Sequence, residues 1–257
     1  MSLSRSWAVA RTSWRLQMRD PAPIIAMTLL PLVLIAFLVQ SAKAQLVLEG
    51  YPNASGADQV VPGFAVLFAF LSVEQVVSLF YREYAWGTWD RLRTTPASTA
   101  DIVTGKVVVR FVVGLVQTTL VFVFGAALFG YRPNGSVLGI AAVLIVFNVM
   151  LVAFGVMLVA LFRTMDQAMV VGNLGGMIMA GLGGALSSVD SFPAWARNLA
   201  PVSPAYWTLD AVRHLTLDHG GFADVLPAIG ITVAFAVGFA IVAGLRFRAT
   251  AVKVGTT

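Results

Sequence analysis

Few residues in this 257-residue chain have the type and spacing that chemistry at a site requires. There is no Cys, which removes disulfides, thiolate catalysis and Cys-based zinc or iron–sulfur sites. Gly105-Lys106 is the only Gly-Lys pair, but Ala100 stands where a phosphate-binding loop needs its first Gly, and Val107 replaces the Ser or Thr. The chain therefore has no nucleotide site of its own. Ser187 and Ser188 lack a Gly-x-Ser-x-Gly setting, and His214 and His219 fall in a segment between apolar runs. Glu74 is the one ionisable residue deep inside an apolar run, where a charge costs about 2.5–3.5 kcal/mol on insertion scales. It shares a helical face with Phe70, Ser78 and Tyr81. Two readings stand: a neutral carboxyl bonded to Asn148, Gln117 or Asn173, or a polar spot on a substrate route.

The densest group of recognition residues lies in 82–104, the longest connection on the cytoplasmic side. It reads Arg82-Glu83-Tyr84-Ala85-Trp86-Gly87-Thr88-Trp89-Asp90-Arg91-Leu92-Arg93-Thr94-Thr95-Pro96-Ala97-Ser98. At helical spacing Trp86, Trp89, Leu92 and Arg93 share one side, and aromatics mixed with Arg on an exposed helix form a protein-docking surface. Glu83 and Arg91 would supply charged contacts that fix its register. Thr94-Thr95-Pro96 ends that helix, and Ser98 with Asp101 forms a capping box for the next.

The elements that must position these residues are membrane spans. Apolar residues make up 58% of the chain and charged residues 11%, against roughly 45–50% and 25% in soluble domains. So few charges do not coat a water-facing surface; the missing solvent is lipid. About 20 apolar residues cross a hydrocarbon core, and six stretches qualify: 22–40, 61–81, 105–129, 137–162, 167–188 and 223–245. Their continuous apolar character predicts an all-α membrane protein and not a barrel of alternating strands.

Lys and Arg set the orientation. With both termini cytoplasmic, Arg5, Arg11, Arg15, Arg19, Arg82, Arg91, Arg93, Lys106, Arg110, Arg163, Arg246, Arg248 and Lys253 lie inside, and Lys43, Arg132, Arg197 and Arg213 outside. The formal charge of +5 is thus a span-end pattern and not a nucleic-acid surface. Ala42-Lys43-Ala44 mimics a signal cleavage site, but the preceding apolar run is long for a leader and further spans follow. Residues 1–20 read as an interfacial amphipathic helix, with Leu3, Trp7, Ala10, Trp14 and Met18 in one stripe and Arg5, Arg11, Arg15 and Arg19 beside it. Asp20-Pro21 ends it, and 21–257 form the six-span body.

Two further segments carry a pattern. Residues 189–222 mix Pro193, Pro201 and Pro204 with Trp195, Tyr206 and Trp207. That predicts short helices dipping into the outer leaflet, with the three aromatics as an outer gate; an ordinary aromatic belt is the alternative. In 167–188, small residues recur every fourth position: Gly172, Gly176, Ala180, Gly184 and Ser188. Such a ladder serves a subunit seam, a pathway, or packing within the chain.

The chain resembles type-2 ABC exporter permeases in three ordered pieces. Glu83-x-x-x-Gly87-Thr88-x-x-Arg91-Leu92-x-x-Thr95-Pro96-x-Ser98 followed by Gly105-Lys106 is similar to the family's cytoplasmic signature. Val61-Pro62-Gly63 before Phe64–Phe70 resembles its second-span opening. Phe192-Pro193-x-Trp195, Pro201-x-x-Pro204-x-x-Trp207 and Asp210-x-x-Arg213 resemble its segment between spans five and six. Ala85-Trp86 departs from it, where relatives more often carry polar residues. The resemblance implies that Glu83, Trp86, Gly87, Thr88, Trp89, Arg91, Leu92 and Arg93 form a coupling helix seated in a separate ATPase subunit. It implies ATP and Mg bound by two ATPase copies, a second permease copy or a related permease, and surrounding lipid. The cargo would be amphipathic (a drug, antibiotic or lipid), passed outward across a bacterial plasma membrane. A secondary carrier or channel, and less so an intramembrane hydrolase, are the rival readings.

Overall fold

The computed structural model describes residues 3–19, 21–86 and 98–246. The described residues form helices and connecting turns, with no strand. In order these are α1 (Leu3–Arg19), α2 (Ala22–Leu48), α3 (Ala57–Leu71), α4 (Val73–Ala85), α5 (Thr99–Phe129), α6 (Val137–Leu161), α7 (Met165–Leu182), α8 (Ala194–Leu199), α9 (Pro204–Leu217) and α10 (Leu226–Arg246). Short 3-10 turns lie at Val189–Ser191, Ala200–Val202 and Ala223–Val225.

Side-chain oxygens and glycines set the ends. The expected capping box is present at α5: Ser98 accepts from the Asp101 backbone N–H and the Asp101 carboxylate accepts from that of Ser98. Ser136 caps α6, Thr164 caps α7 and Ser203 caps α9, each accepting a backbone N–H two or three residues on. Gly130, at φ 73°, closes α5 in the left-handed conformation that glycine adopts without penalty.

Five stretches are long and apolar enough to cross a membrane: Ala22–Leu48, Ala57–Glu83, Ala100–Phe129, Val137–Leu161 and Ala223–Arg246. Phe37, Leu48, Leu128 and Leu245 are more than 60% exposed, a surface that only lipid would cover. The protein is therefore a multi-pass membrane protein. The expected fifth span, 167–188, differs. Its helix α7 has 18 residues and stops at Gly183, and Asp166, Gln167 and Asn173 keep it less apolar than the other five. At 1.5 Å per residue it spans about 27 Å.

The second stretch is two helices. Expected as one span over 61–81, it runs from Ala57 to Ala85 with a break at Ser72, whose hydroxyl donates to the Ala69 carbonyl at 2.7 Å. Such back-bonding by Ser competes with the helical ladder and bends the chain. Together α3 and α4 are the buried middle of the bundle. Phe70, Val77, Phe80 and Tyr81 are fully enclosed and pack with Phe147, Met150 and Leu158 of α6.

The first helix meets the bundle through a face that includes Ala10 of the apolar stripe. Ala10 packs with Val109 and Val113 of α5, and Ser13 is buried. Gly105 approaches Ser6 and Val9 so closely that a Cβ there would lie 2.7 Å from the Ser6 carbonyl oxygen. Trp7 and Trp14 stay exposed on the adjacent face. The small side chains won the contact with α5, because only small residues allow such backbone proximity.

Candidate coupling, pathway and gate residues

At the end of the bundle holding residue 86 and residue 98, α4 and α5 meet through charged groups. Lys106, 2% exposed, donates to Glu83 Oε1 at 2.6 Å and to the Leu79 carbonyl at 3.4 Å. Glu83, which the resemblance places in the coupling helix, pairs with Lys106 of its own chain. Two turns deeper, Arg110 Nη1 donates to Gln75 Oε1 at 2.8 Å. Counting about 20 residues back from Phe129 puts Arg110 at the edge of the hydrocarbon, where a guanidinium is tolerable. Trp86 is 69% exposed. Gly87, Thr88, Trp89, Arg91, Leu92 and Arg93 lie outside the described residues.

In mid-bundle, Glu74 accepts a hydrogen bond from Asn173 Nδ2 at 3.3 Å, joining α4 to α7 through one of the three partners expected for it. Ser78 donates to the Gln75 carbonyl at 3.2 Å, within its own helix. Phe70 is fully enclosed, edge-on to Phe147 and Phe154 with ring centroids 5.6 and 6.4 Å away. The ladder on α7 packs inside the chain. A Cβ on Gly176 would sit 3.1 Å from that of Phe70, and one on Gly172 would sit 2.9 Å from Leu158 Cδ1. Ala180 is fully buried. Gly184 is no longer helical: at φ 93° it turns the chain out of α7.

At the opposite end, Arg213 of α9 gathers four other segments. It donates to Glu49 at 2.8 Å, to Ser188 Oγ at 3.0 Å and to Gln59 Oε1 at 3.4 Å, lies 3.7 Å from Asp190, and sits 5.4 Å from the centre of the Tyr51 ring. Burial works against its charge, but the hydrogen bond and charge of Glu49, with Asp190, outweigh it and hold its pKa above the usual guanidinium range. Tyr51 in turn donates to Asp218 at 2.8 Å, which holds the phenol above its ordinary value.

Beside this hub is an open cleft of about 180 Å³ lined by Asp58, Gln59, Arg197, Tyr206, Asp210 and Arg213 among others. Burial raises the Asp210 carboxyl above the usual range, against the lowering charges of His214 and Arg213. Of the three expected gate aromatics, Tyr206 and Trp207 stand edge-to-face with centroids 5.2 Å apart, and Trp207 Nε1 donates to the Pro201 carbonyl at 2.9 Å. Trp195 stands apart from that pair in sequence and is 66% exposed.

Comparison with known proteins bears on all three regions. The sequence profile described as ABC-2 type transporter matches residues 5–217. The chain belongs to this family. It is 27% identical over 184 residues to the linearmycin resistance permease protein LnrN of Bacillus subtilis (strain 168), covering 72% of this chain and 48% of that one. It is 29% identical over 166 residues to YbhR of Escherichia coli (strain K12), named a probable multidrug ABC transporter permease, covering 64% and 43%. The chain thus spans about half the length, or less, of the curated relatives it matches.

Members of the ABC-2 family are transmembrane subunits that leave ATP hydrolysis to a partner ATPase. Gln75 and the pairing of Glu83 with Lys106 go beyond the sequence reading. A signal is present: Gln75, Leu79 and Glu83 recur every fourth residue at one span end, and Lys106 and Arg110 do so at the start of the next. Arg213 stands in the sequence as a span-end charge and in the Asp210-x-x-Arg213 resemblance. Its partners Glu49, Gln59 and Ser188 come from three separate segments, and nothing local announces them.

Proposed function

We propose that this chain is the permease subunit of an ATP-driven ABC exporter, acting as two copies, or with one related permease, beside two ATPase subunits that bind ATP and Mg. The family match over residues 5–217 carries the reading. In it, α1 lies at the inner face of a bacterial plasma membrane. The spans with α7 make six crossings, both termini are cytoplasmic, and 189–222 form an outer re-entrant gate. Residues 83–93 are the coupling segment, with Trp86, Trp89 and Leu92 filling a cleft of the ATPase and Arg91 fixing their register. Phe70, Glu74 and Ser78, with Gly172, Gly176, Ala180 and Gly184, remain the candidate seam between permeation path and neighbouring helices.

The cargo is a small amphipathic molecule (drug, antibiotic or lipid) moved outward by alternating access. The names of LnrN and YbhR, a linearmycin resistance permease and a probable multidrug permease, support that class. The lipid-facing apolar surface supports an entry from the bilayer.

The deciding experiment is on the coupling segment. Trp86 is already at the surface, so Trp86→Ala and Trp89→Ala each remove an aromatic anchor, worth about 2 kcal/mol or more when it is an interface hot spot. Arg91→Glu reverses a charge on the same segment. All three variants should insert and fold, and each should lose co-purification of the ATPase or hydrolyse ATP without efflux. Full co-purification with full efflux in all three would overturn the assignment.

The orientation has its own test. The chain has no Cys, so single-Cys probes report cleanly. Cys at Asn53 and Asn134, both exposed at the Arg213 end, should react with an impermeant thiol reagent in whole cells. Cys at Ser98, exposed at the other end, should react only after lysis. The reverse pattern would invert the topology.

A further inference from the structure

The coupling segment between residues 86 and 98 leaves the end of α4 and enters the start of α5, and those two ends are fastened to each other. Glu83 pairs with Lys106 at 2.6 Å and Gln75 with Arg110 at 2.8 Å. The residues descend α4 at positions 83 and 75 as they climb α5 at 106 and 110, so the two contacts form one antiparallel ladder. A third tie joins the same end of α4 to the turn after α6, where Tyr81 donates to the Phe162 carbonyl at 2.8 Å. The pair is not a surface decoration. Lys106 is 2% exposed, and taking a Lys out of water is unfavourable unless its partner is held in place.

Beyond Gln75 the character changes. The helix breaks at Ser72, and a cavity of about 20 Å³ lies beside the break, lined by Ser72, Gln75, Arg110 and Asn148 together with Val73 and Val76, large enough for a single water. Gln75 Nε2 and Arg110 Nε are buried beside it without a protein partner.

We propose that Glu83–Lys106 and Gln75–Arg110 make α4 and the cytoplasmic half of α5 a single lever that carries the coupling segment and bends from α3 at Ser72. Lys106 and Arg110 are positioning residues in this arrangement, and Glu83 acts toward its own chain. The proposal rests on the coupling role proposed for 83–93. A push on the segment reaches both spans together. With the ladder cut, the segment still docks on the ATPase, but its motion is lost between two loose helix ends.

The test uses the permease with its ATPase in proteoliposomes loaded with a fluorescent amphipathic dye, reading dye moved per ATP hydrolysed. Lys106→Met keeps the length of the side chain and removes its charge, and Arg110→Met does the same at the second rung. Each should keep ATPase co-purification and hydrolysis while dye moved per ATP falls about tenfold. Gln75→Cys with Arg110→Cys should be equally uncoupled, and bridging the two thiols with a short bifunctional methanethiosulfonate in the assembled complex should restore efflux. Wild-type efflux per ATP in Lys106→Met, or a bridged pair as uncoupled as the unbridged one, would overturn the lever. So would loss of the ATPase from Lys106→Met, which would place the pair in the docking surface. If the wild-type complex itself showed no ATP-driven efflux, the coupling reading would fail, independently of the ladder.

Discussion

Gly63→Ala should severely destabilise this protein. A Cβ at position 63 would stand 2.0 Å from the carbonyl oxygen of Ala185 and 3.0 Å from its carbonyl carbon. The obstacle is backbone, so no side-chain rotation relieves it. Ala185 does not yield readily: its N–H is bonded to Ala180 at 3.0 Å, and the preceding Gly184 carbonyl accepts from Gln59 Nε2 at 3.2 Å. Gln59 is itself on α3, so α3 and the turn after α7 would have to part. Overpacking a core costs about 1–3 kcal/mol, and a backbone clash belongs at the upper end or beyond. The expected result is a clear fall in the thermal unfolding midpoint of the detergent-purified protein, with efflux lost. Gly238→Ala is the control: a Cβ there meets nothing within 4 Å, and the change should stay within about 1 kcal/mol. Equal midpoints for Gly63→Ala and wild type would show that α3 and the Gly183–Ala185 turn do not meet as closely as the structure places them.

That contact illustrates what the sequence conveys and what it withholds. Val61-Pro62-Gly63 was recognisable as the opening of a span, and Gly184 as one rung of a small-residue ladder. Neither indicates that the two meet. Periodicity reports which residues share a face of one helix; it carries no information about the partner face. The same limit applies to α1: its stripe of Leu3, Trp7, Ala10, Trp14 and Met18 is legible, but not that Val9 and Ala10 meet α5 at close backbone distance. It also explains Ser72. A single Ser within an apolar run is compatible with a straight helix, and the break shows only when its hydroxyl is seen to bond Ala69.

Features with a local cause were legible. The Ser98–Asp101 box and the boundaries of α6 rest on residues within a turn of one another, and the structure has them where expected. Glu74 lies between these cases. A carboxyl in an apolar run demands a polar neighbour, so a short set of candidates followed from the sequence, and packing chose Asn173 from it. Lys106 shows the opposite outcome. A span-end charge, a failed phosphate-loop match and a place in the family signature all fit it, and none of them points to Glu83, 23 residues earlier.

Arg213→Ala should loosen the whole opposite end of the bundle. The guanidinium ties the end of α2 through Glu49, the start of α3 through Gln59, the turn after α7 through Ser188, and the segment before α8 through Asp190. The side chains of Arg213 and Glu49 are 20% and 14% exposed, so their attraction is less screened than at an open surface. Removing one partner of such a pair strands the other's charge in a poorly solvated place. A fully buried pair loses about 3–5 kcal/mol in this way, and the residual exposure here brings the expectation to about 2–3 kcal/mol. Arg213→Lys separates charge from geometry. An ammonium keeps the charge but cannot direct two nitrogens at Glu49, Gln59 and Ser188 together, so it should recover only part of the loss. The measurement is the detergent unfolding midpoint, taken with impermeant labelling of single Cys at Ser188 in the intact protein and at the same position in Arg213→Ala. Ser188 is buried, so its labelling should be slow while Arg213 is in place and fast once the hub is gone. If the midpoint and the labelling rate both stayed unchanged, this end would be held by its apolar contacts (Val212 and Leu215 against the α2–α3 core), and the polar hub would be their consequence and not their cause.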